Sequence, residues 1–152
     1  MAEGMKRVFQ TKITDVSTTD KEGVGTVRRE GDNKYLYCKG LAGTAQYDIM
    51  VINADYTTAA PAAATANTYR VGVAQAAIVA DHYGWYQIMG HGTIAGASDL
   101  AANAPLYLNA SKQATATAGT NPRLHGIVVT NASTKTAFIL NPYTAEDLDT
   151  TV

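Results

Sequence analysis

Val24-Gly25-Thr26-Val27-Arg28-Arg29-Glu30-Gly31-Asp32-Asn33-Lys34-Tyr35-Leu36-Tyr37-Cys38-Lys39 is the stretch that decides the fold class. Its first six residues are strand-like. Glu30-Gly31-Asp32-Asn33 has turn chemistry, because Gly and Asn reach positive φ at little cost. Lys34 to Lys39 then alternates, with Tyr35, Tyr37 and Lys39 on one face and Lys34, Leu36 and Cys38 on the other. Two period-two segments around a tight turn predict a β-hairpin.

Working outward, Gly40 and Gly43 bracket a turn and Ala45 to Asn53 predicts a further strand. Thr57 to Thr68 is Ala and Thr around Pro61 and is expected to be a loop or a poorly regular strand. Tyr69 to Ala80 is small and apolar on both faces, which predicts a strand buried on both sides. Asp81 to Gly84 is turn-like and leads into the strand Trp85 to Met89. Gly90-His91-Gly92 then predicts a tight turn, with a short strand at Thr93-Ile94. Leu106-Tyr107-Leu108 is another short strand. Ala110 to Asn121 is expected to be a polar loop or hairpin. Leu124–Thr130 and Thr136–Leu140 predict a closing hairpin, followed by a tail carrying Pro142 and three acidic residues. Many short strands with frequent turns and no long amphipathic helix predict a mainly β, single-domain β-sandwich or β-barrel.

The segment before this body is different. Residues 1–23 are polar and weakly patterned, and Thr11, Thr14, Thr18 and Thr19 disfavour helix. They are read as an extended N-terminal arm, with residues 24–152 forming the β-rich domain. Charge follows the same division. Residues 1–40 carry eight of the twelve basic and six of the thirteen acidic residues. The charge-poor remainder is expected to supply a self-association surface, since interface cores are depleted in charge. The charged arm is expected to dock on a partner, with Arg7, Phe9, Lys12 and Ile13 as its contact residues.

A net charge of −1 gives no basis for expecting a nucleic-acid or membrane partner. Cys38 is alone, so the fold needs no disulfide framework and suits a reducing cytosol. No apolar run follows the first basic residues, which predicts no secretory leader. His82, His91 and His125 lack Cys or carboxylate partners at metal-ligand spacing. Asp81 and His82 are neighbours whose side chains would point to opposite faces of a strand, a poor arrangement for a general base. Gly90-His91-Gly92 has no following Lys-Ser/Thr and does not make a phosphate loop. No enzyme and no cofactor are therefore expected.

Tyrosine outnumbers phenylalanine nine to two, a bias suited to surfaces that are apolar on one side and wet on the other. Tyr83, Trp85 and Tyr86 are the candidate self-association cluster. The plainer reading of Trp85 is an anchor in the sheet core.

The order of these features resembles a known family. It comprises the hairpin from Gly25 to Tyr37, the Ala/Thr loop, Arg70 to Ala74, Tyr83 to Gly92, Pro105-Leu106-Tyr107 and Gly126 to Val129. Over residues 24–140 the chain is similar to the capsid decoration (cement) and head-fibre proteins of tailed bacteriophages. The resemblance implies a structural virion protein, made in the host cytoplasm and placed on the outer capsid surface. It would act as a homotrimer that binds the major capsid protein and bridges neighbouring subunits. The alternatives are a tail-fibre or receptor-binding module and a small ligand-binding β-barrel.

Overall fold

The computed structural model describes residues 7–62 and 68–145. It is all-β, with no helix among those residues. The strands are β1 (Val27–Glu30), β2 (Asn33–Lys39), β3 (Ile49–Ile52), β4 (Thr58–Ala59), β5 (Tyr69–Ala74), β6 (Tyr83–Thr93), β7 (Leu106–Leu108), β8 (Ala114–Thr115), β9 (Arg123–Asn131) and β10 (Thr136–Ala145). They form one sheet in the order β1-β2-β6-β5-β10-β9-β7-β8, with β3 added beside β5 and β4 beside β3. Every strand pairing is antiparallel.

The first hairpin forms as its sequence predicts, with Glu30 opposite Asn33 and Gly31 at φ +57° in the turn. The closing hairpin also forms and is longer than predicted, running through Pro142 to Ala145. The register slips between Ile139 and Tyr143. That irregularity accommodates the proline, which cannot donate to a ladder. Gly126 sits across from it at φ +75°, where a Cβ would lie 2.4 Å from the Leu140 carbonyl oxygen.

Three expectations need correction. The strand predicted over Ala45–Asn53 begins only at Ile49. Ahead of it the Asp48 carboxylate accepts from the Ala45 N–H at 2.9 Å and closes a turn that holds Tyr47 at φ +72°. The strand predicted over Tyr69–Ala80 stops at Ala74, because Ile78 turns inward to bridge Thr44. Gly90-His91-Gly92 is not a turn between strands but lies inside β6.

This last feature organises the sheet. Lys34 pairs with Met89 and Tyr35 with Gln87, so Ile88 is an extra residue bulged into β6. Gly90 takes φ +102° beside it. The buried Gln87 side chain donates to the carbonyls of Met89 at 3.2 Å and His91 at 3.0 Å. A bulge bends its strand. The first half of β6 thus pairs with β2 and β5, and the second half with β10.

Three apolar clusters result. The largest gathers Ile49, Val51, Val71 and Val73 with Leu106, Leu108, Ile127, Val129 and Ile139. The second joins Leu36, Cys38, Met50, Ile52, Tyr86 and Ile88. The third is aromatic, Tyr35, Tyr37 and Trp85, with Phe9 and Ile13 packed against it. The alternation read in Lys34 to Lys39 therefore holds, since Leu36 and Cys38 enter one cluster and Tyr35 and Tyr37 another. Both faces of β2 are covered, the aromatic one by the N-terminal segment.

Burial sets the ionisation of the core. It pushes the Cys38 thiol up to about 12, with Arg70 opposing weakly. Burial also raises the Tyr86 phenol, opposed mainly by its contact with the Thr58 hydroxyl.

Candidate interaction surface

The N-terminal segment is tied down by a short polar chain. Glu22 is buried, and its carboxylate accepts from the Thr11 N–H at 2.7 Å and the Thr11 hydroxyl at 2.8 Å. The Trp85 indole N–H donates to the same Thr11 hydroxyl at 3.0 Å. Arg28 donates to the Thr11 carbonyl at 2.6 Å, and its guanidinium lies 4.8 Å from the Phe9 ring centre. Phe9 meets Trp85 edge-on, with ring centres 5.6 Å apart.

These contacts locate the residues singled out in the sequence. Arg7 and Lys12 are exposed, whereas Phe9 and Ile13 are half-buried against the aromatic cluster. Trp85 and Tyr86 are 1% and 0% exposed. They are consumed by the protein's own core and cannot present a self-association surface, so that expectation is corrected. Tyr83 is half-buried and stacks on Tyr37 at 6.2 Å.

Exposed large apolar side chains are scattered over the described residues, Val8 and Val79 being the most exposed, and a group of them falls on neighbouring strands β9 and β10. Along β10, Ala137 and Ile139 point inward while Phe138 and Leu140 point out, 38% and 48% exposed. The irregularity at Asn141-Pro142 resets the alternation, so Tyr143 also faces solvent at 42%. Phe138 is flanked by Val128 on β9 and His91 on β6, and Leu140 lies opposite Met89. Cross-strand neighbours at such positions touch and form a continuous face. The His91 and Phe138 ring centres are 5.1 Å apart. Further along, His125 stacks on Tyr143 at 5.0 Å, with the rings nearly parallel at 11°. Arg29 and Asp32 border the face, where they line a depression of about 280 Å³ with Met89, Gly90, His91 and Phe138.

Sequence reasoning missed this face. Its signal was present in Thr136 to Leu140, where both phases of the strand are apolar, so burying one leaves the other exposed.

Asp99 accepts from the Thr115 and Thr117 hydroxyls at 2.7 and 2.6 Å, which lowers its pKa, the Thr117 bond being the larger cause. This pins the β7–β8 region. Among the described residues no group of three or more His, Cys, Asp or Glu could hold a metal ion.

No family model, no curated protein and no solved structure matches the chain.

Proposed function

We propose that the protein is a structural virion protein that decorates the capsid of a tailed bacteriophage. As a homotrimer on the outer surface it bridges neighbouring major capsid protein subunits and stabilises the shell. The observation that carries this reading is the group of exposed apolar side chains on β9 and β10 of a tightly paired antiparallel domain. Exposed contiguous apolar surface marks protein contacts. The family resemblance over residues 24–140 supplies the kind of contact.

Decoration acts by adding buried area between capsomers, repeated by symmetry, so that modest single contacts sum to a large barrier against rupture. Such a role needs a rigid body and at least two surfaces, one for its own copies and one for the shell. Arg7 and Lys12, both exposed on the N-terminal segment, are the shell-facing candidates. Phe9 and Ile13 support that segment from within.

The test is co-sedimentation of the purified protein with expanded capsid shells that lack it. Saturable binding is expected. A protein that ignores shells and binds bacterial cells or their glycans is instead a receptor-binding module, and the proposal fails.

A further inference from the structure

We infer that residues 7–22 form a strap that lifts off the aromatic cluster as one unit while the β-domain stays folded, with Thr11 as its latch. The inference stands apart from the capsid reading.

The strap is closed on itself. The Thr11 N–H and the Thr11 hydroxyl both donate to the Glu22 carboxylate, and Arg7 donates to the Glu22 carbonyl. Lys12 and Asp15 close a turn between these ends. The Lys12 N–H donates to the Asp15 carboxylate at 2.8 Å, and the Asp15 N–H to the Lys12 carbonyl at 3.0 Å. All of these bonds travel with the segment. A loop whose ends are tied to each other keeps its shape when it moves.

Its ties to the sheet are of another kind. Ser17 and Tyr83 exchange two backbone hydrogen bonds, at 3.0 and 2.8 Å, in an isolated bridge and not a ladder. Two side chains of the sheet, Trp85 and Arg28, donate to the strap, and both bonds end on Thr11, one at its hydroxyl and one at its carbonyl. Phe9 and Ile13 pack on the Tyr35, Tyr37 and Trp85 cluster. Segments held by few backbone bonds and a small apolar contact open at a lower free energy than the whole domain. Gly23 and Gly25, at φ +81° and +85°, join the strap to β1. A few such residues can absorb the dihedral change of a moving segment.

Closure also leaves a polar atom unpaired. The Tyr37 hydroxyl is fully buried and has no hydrogen-bond partner among the described residues. Its polar neighbours include Ser17, Asp20, Lys21 and Glu22 of the strap. Burying an unpaired hydroxyl opposes closure, and lifting the strap returns it to water. Arg7 and Lys12 lie exposed on the strap. A partner that grips them and prefers one strap position shifts the equilibrium, and Thr11 carries the change to Trp85.

The experiment is hydrogen exchange of the full chain, read by mass spectrometry on peptides from residues 8–22, β6, β9 and β10. In the wild type the 8–22 peptides are expected to be protected, yet to exchange about tenfold or more faster than β6 and β10, at a rate that low urea hardly changes. Val129→Ala opens a gap in the largest cluster, away from the strap. It is expected to speed β9 and β10 about tenfold or more and to leave 8–22 unchanged. Thr11→Val removes the latch hydroxyl and is expected to speed 8–22 about tenfold and to raise acrylamide quenching of Trp85. The inference is overturned if 8–22 is as protected as β6, if it is not protected at all, or if Val129→Ala speeds it by the same factor as β10. An unchanged 8–22 rate in Thr11→Val removes the latch. Should a variant not fold, the urea dependence of the wild-type peptides decides.

Discussion

The Trp85 indole N–H and the Thr11 hydroxyl form a 3.0 Å hydrogen bond between the middle of the sheet and the N-terminal segment. It joins residues far apart in sequence and makes residues 7–22 one wall of the aromatic cluster. Regular strand pairing begins at Val27, while the core extends in front of it.

This bond makes the chain's only tryptophan a reporter of the segment. Glu22→Ala removes the acceptor of both the Thr11 N–H and the Thr11 hydroxyl. Leaving buried donors unpaired costs about 1–3 kcal/mol. A lower urea midpoint and a red-shifted Trp85 emission are expected. An unchanged emission and midpoint would mean that the segment is not held by Glu22.

The bend in β6 gives a second prediction. In Gly90→Ala the new Cβ would lie 1.8 Å from the Asn33 Oδ1, at a φ of +102°. Strain of this kind costs about 1–3 kcal/mol before the clash is counted. Gln87→Ala leaves the Met89 and His91 carbonyls without their side-chain donor, at about 2 kcal/mol. Both variants should melt below the wild type, Gly90→Ala the lower of the two. A wild-type melt for Gly90→Ala would contradict the bulge geometry.

Alkaline pH gives a third. The folded Cys38 thiol is raised to about 12 from an ordinary value of 9.0. The unfolded thiol therefore ionises first and the folded state holds the extra proton. Stability is full below about pH 9 and is lost as pH rises towards 12, by up to about 1.4 kcal/mol per pH unit for one such group. Burial of Tyr86 acts in the same direction at higher pH. Urea midpoints should fall from pH 9 upward, and Cys38→Ala should reduce the slope. In the folded protein at pH 8 the thiol should resist aromatic disulfide reagents.

The hairpins were legible because Glu30-Gly31-Asp32-Asn33 and the alternation after it are local signals, and the closing hairpin has the same kind of pattern. Gly90-His91-Gly92 misled because a glycine pair reads as a turn, and only the long-range pairing with β10 keeps the strand running through it. The early stop of β5 at Ala74 depends on where Ile78 docks, which is also non-local. At the candidate surface, Trp85 and Tyr86 attracted attention by residue type, although large aromatics serve cores as readily as interfaces. Phe138 and Leu140 were less conspicuous. Their exposure follows from which phase of β10 the largest cluster claims, through Ala137 and Ile139.

The proposed role in holding a capsid together is measured by DNA release from heated particles. Filled capsids lacking the protein, with and without the purified chain added back, would be heated in the presence of a DNA-binding dye. Decorated particles are expected to release their DNA several degrees above bare ones, with the gain saturating as binding sites fill. Identical release temperatures at saturating, verified occupancy would contradict it.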